Sequence, residues 1–290
     1  MNSQVTERIK RKMATFSKGQ KRIAQYILEH SDKVAFMTAS KLGTTVGVSE
    51  STVVRFATEI GYAGYPELQK AVQEMIRNKM TSLQRLEMAA NLHDPGHVLD
   101  NVLNHDIEVI RQTLEETCRH SFYRAAEAIS EARKVYIIGA RSSQALATFL
   151  SYYLNFIVEN LVTINVTSTD EILEQMIRID QNDAVIGISF PRYSTKVIKA
   201  LDFASSRGAK VVAITDSAVS PLSESADYLL LARSDMASFV DTLVAPLSLI
   251  NALIIAVAIK KKDEVADLFE KLEDIWDAYG VYEKVEDRSN

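Results

Sequence analysis

Residues 44–62 read TTVGVSESTVVRFATEIGY: a glycine between two valines, then Ser49-Glu50-Ser51-Thr52, then Arg55 inside an apolar run. Glycine tolerates the positive φ that a tight helix-to-helix turn demands. Val46 and Val48 can bury against the helices on either side. Ser49 has the chemistry of an N-cap. After it Val53, Phe56 and Ile60 recur at helical spacing, and Gly61 marks the end. Upstream, TASKLGTT (38–45) reads as a short helix starting near Thr38 or Ser40. KGQKRIAQYILEHS (18–31) sets Ile23, Tyr26, Ile27 and His30 at helical spacing. The pattern is a helix-turn-helix framed by Leu42, Val46, Val48, Val53 and Phe56.

In such a motif the second helix enters the major groove and its first turns meet the bases. Ser51, Thr52 and Arg55 fall on those turns, with Ser49 at their head. Short hydroxyls allow a close approach, and a guanidinium can fork onto guanine or clamp a phosphate. Lys41 and the Lys10-Arg11-Lys12 cluster supply backbone contacts, which position the protein without reading sequence. A three-helix packing unit with no nucleic acid would carry the same apolar pattern. Charge separates the two readings. Residues 1–80 hold 13 basic and 7 acidic residues, a balance of +6. The remainder holds 20 and 31, a balance of −11, so the net −5 hides a basic module joined to an acidic one. Double-stranded DNA is the expected partner of the basic module.

A chain of 290 residues accommodates two domains. The longest apolar run, Leu243 to Ile259, is broken by Pro246, Ser248 and Asn251. It reads as a buried helix, and no membrane association is expected. The charged N-terminal stretch has no apolar signal core, so export is not expected and a cytoplasmic location is. The single cysteine, Cys118, precludes an internal disulfide and a cysteine-based metal cluster. It is expected to pack as a small apolar residue.

Residues 66–90 suggest one long helix or two short ones, with Pro66 at the start. Asn91-Leu92-His93-Asp94-Pro95-Gly96 is a break. Helical spacing resumes from Val98 to about Ile129. The expected division is a helix-turn-helix domain over 1–78, a helical linker over 79–105 and a second domain over 106–290.

After Glu131 the texture changes. KVYIIG (134–139), LVTINV (161–166), DAVIGIS (183–189), KVVAIT (210–215) and DYLLLA (227–232) are short apolar strands. Helical patterns lie between them at 143–159, 169–179, 194–207 and 217–225. This alternation predicts an α/β domain, a parallel sheet covered by helices. Such sheets bind ligands beyond the carboxyl ends of their strands. The loops there are GARSSQALA from Gly139, SFPRYSTK from Ser189 and TDSAVSPL from Thr215. Each leads into a predicted helix start, where unpaired amides and partial positive charge attract phosphate. Serines after strands also serve as plain caps. Two successive loops that pair serine with arginine point to an anion site. Its candidate residues are Arg141, Ser142, Ser143, Ser189, Arg192 and Ser194.

The stretch GVSESTVVRF…IGY.GYPEL, within residues 17–69, resembles the N-terminal domain of RpiR-type bacterial transcription regulators. VYIIGARSS, DAVIGISFPRYS and GAKVVAITDSAVSPLSESADYLLL resemble a SIS, or sugar isomerase, domain. The resemblance covers nearly the whole chain. It implies a doubly wound five-stranded parallel sheet of flavodoxin-like type behind an all-α N-terminal domain. It further implies a phosphorylated-sugar effector governing transcription and a homodimer or homotetramer on palindromic operator DNA. In the family the first phosphate loop reads Gly-x-Gly-x-Ser. Gly139 and Ser143 match it, and Arg141 replaces the second glycine. The second loop reads Ser-x-Ser-Gly and then a hydroxyl. Ser189 and Ser194 match, and Pro191 and Arg192 replace the central pair. The loop loses a backbone donor and gains a guanidinium, which moves the expected ligand toward a more acidic or differently placed anion.

The other reading is a phosphosugar isomerase of the same fold. It would need a general base. All five histidines (His30, His93, His97, His105 and His120) precede the first strand. Glu171 and Glu174 follow the second strand, in first-turn positions that the helix dipole favours anyway. No catalytic residue, metal constellation, Walker loop or dinucleotide fingerprint is recognised, so no cofactor is expected. The charged tail over 260–290 places Val265, Leu268, Phe269, Leu272 and Trp276 on one helical face, expected to pack on a neighbour.

Overall fold

The computed structural model describes residues 4–76, 83, 95–234 and 240–282. Contacts divide the chain into two compact units, essentially residues 1–98 and 99–290. Most of the expected linker lies outside the described residues, as does the rest of the helical pattern after Ile76 apart from Leu83.

The first unit is helical. It comprises α1 (Gln4–Lys12), α2 (Lys18–Glu29), α3 (Ser31–Val34), α4 (Ala39–Val46), α5 (Glu50–Glu59) and α6 (Tyr65–Ile76). Ser17 and Gln20 form a reciprocal capping box at the head of α2. Thr38 caps α4 by accepting from the Lys41 amide at 3.1 Å. One core joins the helices: Ile9, Ile23, Ile27, Leu42, Val53, Phe56 and Leu68 are all fully buried. α6 secures the chain after α3 with polar side chains. The Tyr65 hydroxyl donates to the Met37 carbonyl at 2.7 Å, and the Gln73 amide donates to that of Ala35 at 2.9 Å.

The second unit opens with α7 (Val98–Glu116) and α8 (Arg119–Glu131). The helix expected over 98–129 is thus two helices. Thr117 breaks it by sending its hydroxyl to the carbonyls of Thr113 at 2.6 Å and Leu231 at 2.9 Å, which turns the chain toward the sheet. Cys118, at this break, is exposed, contrary to its expected burial.

The sheet follows with β1 (Val135–Gly139), β2 (Leu161–Thr163), β3 (Ala184–Ile188), β4 (Lys210–Thr215) and β5 (Tyr228–Leu231). All pairings are parallel, in the order β2-β1-β3-β4-β5. The intervening helices are α9 (Ser143–Leu154), α10 (Thr169–Gln175) and α11 (Thr195–Ser206); α12 (Val244–Lys260) and α13 (Lys262–Tyr279) complete the chain. Side chains alternate across a strand, so each one feeds two cores. Ile137, Ile186, Ile188, Val212 and Ile214 pack with α8, α9 and α12. Tyr136, Ile138, Val185, Val211 and Ala213 pack with α10 and α11 on the other face. Burial on both faces explains why the strands read as unbroken apolar runs.

Several expected elements are shorter than their patterns, among them the helix over 169–179, which ends at Gln175, and three show a local cause. β2 stops at Thr163 because the Gln175 side chain bonds both the amide and the carbonyl of Asn165, replacing a neighbouring strand. α9 ends at Leu154, which lets Ile157 and Val158 turn into the core. The helix expected over 217–225 is only a 3-10 turn, Pro221–Glu224, where proline withholds an amide. Among the described residues no single helix is long and apolar enough to cross a membrane. α12, the longest apolar segment, buries Leu249, Ile250, Leu253 and Val257.

Candidate functional sites

In the first unit, Gly47 occupies the left-handed region at φ 69° and ψ 45°, where other residues are strained. The Val48 amide closes back on the Gly43 carbonyl at 2.8 Å. Arg22 on α2 donates to the Gly47 carbonyl at 2.8 Å. The turn therefore sets α5 against α4 and presents its outer face to solvent. That face carries Glu50, Ser51, Val54, Arg55 and Thr58, all exposed, with Thr52 half-buried beside them.

Ser49 sits at the N-cap position, but its hydroxyl makes no capping bond to the backbone. It lies 2.9 Å from the Ser51 hydroxyl and 2.8 Å from that of Thr52, so the three oxygens form one polar cluster at the helix head. Arg55 donates its Nε to the Ser51 carbonyl at 3.2 Å, which fixes the side chain along the helix and leaves its terminal nitrogens outward. Lys41, Lys10 and Arg11 are exposed. Lys12 instead donates to the Glu59 carbonyl, where its charge meets the negative end of α5. That bond, like the one from Arg8 to the Gly61 carbonyl at 2.7 Å, could not be read from spacing.

In the second unit the strand order reverses between β1 and β3. A ligand crevice is expected there, beyond the strand ends. The two loops flanking that point enclose a cleft of about 740 Å³ lined by Ala140, Arg141, Gln144, Val166, Arg192, Tyr193, Ser194, Thr195 and Lys196. Three of the six expected residues line it: Arg141, Arg192 and Ser194. Ser142 is exposed outside the lining set, and Ser143 and Ser189 are buried. Ser189 supports the loop from below, accepting from the Ser194 amide at 3.0 Å.

Local geometry explains the division. Gly139 ends β1 so close to α9 that a Cβ there would stand 2.4 Å from the Ser143 carbonyl oxygen. Arg141 then turns the chain at φ 58°, a left-handed conformation. The amides of Ser143, Gln144 and Ala145 bond back to the carbonyls of residues 140–142, so the start of α9 satisfies itself. The β3–α11 loop differs. Pro191 has no amide, Ser194 gives its own to Ser189, and the first turn of α11 opens toward the cleft. Tyr193 is held by its hydroxyl bond to Asp216 at 2.8 Å, and Lys196 donates to the Thr167 carbonyl of the β2–α10 loop.

Sequence reasoning missed Gln144, Tyr193, Thr195 and Lys196. Helical spacing held the signal for Thr195 and Lys196, since both occupy the first turn of a helix whose cap was recognised. Among the described residues the cleft lining holds no histidine, aspartate or glutamate. Glu171 and Glu174 are exposed on α10, outside it. Among the described residues no group of three or more histidine, cysteine or acidic side chains is placed to hold a metal ion.

A second hollow of about 500 Å³ opens at the opposite, amino-terminal edge of the sheet. Its charges neutralise one another. Arg133 grips the buried Asp183 with two hydrogen bonds of 2.9 and 2.7 Å and also meets Asp180, while Arg124 pairs with Glu127. Arg141 and Arg192 have no such partner among the described residues.

Residues 3–79 match the helix-turn-helix domain of the rpiR family, and residues 128–256 match the SIS domain. The chain belongs to the rpiR family of helix-turn-helix regulators. An uncharacterised HTH-type transcriptional regulator of Caldanaerobacter subterraneus, TTE0211, is 25% identical over 271 residues, covering 92% of this chain and 95% of that one. The sugar isomerase domain of an RpiR transcription factor from Sphaerobacter thermophilus is 28% identical, with a TM-score of 0.58 over 61% of this chain and 99% of that one. The Vibrio vulnificus NanR protein, solved in complex with ManNAc-6P, shares the fold across 95% of this chain and 98% of its own, at 23% identity and a TM-score of 0.54. In this rpiR-family chain the helical unit is the helix-turn-helix domain, and the α/β unit is its SIS domain.

Proposed function

We propose that this regulator reads a palindromic operator as a homodimer or homotetramer and answers to a phosphorylated sugar held in the cleft beside Arg141, Arg192 and Ser194. Operator contacts come from Ser49, Ser51, Thr52 and Arg55 on α5 and from Lys41 on α4. Control of carbohydrate-metabolism genes, next to the chromosome in the cytoplasm, follows from those two partners. The observation that carries the effector half is the cleft itself. It lies at the strand-order reversal, three cations line it, and among the described residues its lining has no histidine or carboxylate to act as a general base. Phosphate is proposed to sit at the first turn of α11, where Ser194, Thr195 and Lys196 line the cleft. The lack of an imidazole or carboxylate in the lining favours binding over isomerisation.

The effector then shifts the balance between two states of the assembly that differ in affinity for DNA, and the coupling is reciprocal. A thermal-shift screen of the full chain against sugar phosphates tests the reading. A ligand of the folded state raises the melting point by mass action, by about 2.7 kcal/mol of added stability at a hundredfold excess over Kd. The same ligand must alter the mobility shift of a duplex from the promoter of the regulator's own operon. Absence of any thermal shift across the panel overturns the effector assignment. An assay for aldose–ketose interconversion that detects turnover overturns the non-enzymatic one.

A further inference from the structure

We infer that the effector carries a second anionic group, a carboxylate or second phosphate on the sugar skeleton, gripped by Arg141 and Arg192. The inference rests on the phosphosugar reading and sharpens it. On that reading the first turn of α11, with Lys196 and two hydroxyls, takes one phosphate. Arg141 and Arg192 stand outside that turn, on two different loops across the strand-order reversal.

Three observations set them apart. Both guanidiniums are exposed at the cleft and neither has a hydrogen-bond or ion-pair partner among the described residues. Elsewhere in the same unit Arg133 and Arg233 are held by carboxylates. Second, Arg141 occupies a left-handed backbone position, φ 58°, where glycine would be free of strain. Its guanidinium makes no hydrogen bond or ion pair among the described residues to offset that strain. Third, several amides of the two loops are not open to a second anion. Those at the start of α9 are spent on residues 140–142, Pro191 has none, and that of Ser194 is spent on Ser189. What the backbone withholds, the planar forks of two arginines supply, in the geometry that suits a carboxylate or phosphate.

Calorimetry on the full chain with matched probes decides it. Each sugar monophosphate of the panel is paired with its aldonate phosphate, which adds a carboxylate, and with its bisphosphate. Inorganic phosphate is the control. The two-anion member is expected to bind about tenfold or more tighter than its monophosphate, as charge-assisted bidentate contacts allow. In the Arg141→Gln/Arg192→Gln variant the members of a pair are expected to bind alike. The tighter of aldonate and bisphosphate tells which second group the arginines take. Monophosphates binding wild type as tightly as their two-anion partners overturn the inference and leave the phosphosugar reading standing. A preference that survives in the double variant removes the arginines from it. No binding by any probe removes both readings together.

Discussion

Arg22 on α2 holds the carbonyl of Gly47, 25 residues away, at 2.8 Å, so a guanidinium from a separate helix pins the turn that aims α5. The turn's backbone is left-handed, and a Cβ added at Gly47 would lie 3.2 Å from the Arg22 Nη1. Gly47→Ala is expected to destabilise the N-terminal unit by about 1–2 kcal/mol, the cost of a left-handed alanine. Denaturation of the full chain followed by helical circular dichroism checks it; an unmoved midpoint would show that the turn carries no strain.

Arg55 and Lys41 should differ in what their loss does to DNA binding. Arg55 lies on the outer face of α5 with its Nε tied to the Ser51 carbonyl, and the proposed docking gives its guanidinium to base edges. Arg55→Ala is expected to cost about 1–3 kcal/mol on the cognate duplex and to relax sequence choice at one position. Lys41→Ala should weaken binding to every duplex alike and lower the slope of log affinity against log salt by about 0.9. Binding isotherms at several salt concentrations separate the two. Equal salt slopes with and without Lys41 would exclude it from the phosphate contacts.

Tyr65 makes the N-terminal unit sensitive to alkali. Its hydroxyl is buried and donates to the Met37 carbonyl, and burial pushes its pKa from 10.0 to about 12. Folding therefore favours the protonated phenol. The stabilisation is complete below pH 10 and disappears as pH climbs through 12. Tyr65→Phe should cost about 1 kcal/mol near neutrality by losing the hydrogen bond. The variant should also show a shallower fall in stability over that alkaline window. Parallel pH profiles for the two proteins would refute the assignment.

On the proposed reading Arg141 is expected to trade stability for recognition. Arg141→Gly removes the left-handed penalty of about 1–2 kcal/mol, partly offset by the greater freedom of an unfolded glycine. The melting temperature of the variant is expected to rise while affinity for the anionic effector falls. Differential scanning calorimetry with and without ligand checks both halves. A lowered melting temperature in the free variant would show that Arg141 stabilises its loop.

The turn at Gly47 and the five apolar strands were legible because periodicity and a single glycine report backbone geometry directly. The shorter elements were not, because long-range side chains fix their ends. Gln175 terminates β2, and Thr117 divides a helix that local spacing runs straight through. Within the cleft, the two arginines stood out against the family's loop pattern. Ser143 and Ser189 looked equally suited to an anion, and only packing distinguishes a hydroxyl beneath a loop from one at its rim. Ser49 has the sequence of a cap and the geometry of a cluster, a choice among neighbouring hydroxyls that spacing cannot rank.

Cys118, exposed at the break between α7 and α8, is the chain's single thiol. A maleimide dye will therefore attach at one defined point per polypeptide without any engineering of the surface. Fluorescence polarisation or energy transfer from that label can follow operator capture and effector titration on the unaltered sequence.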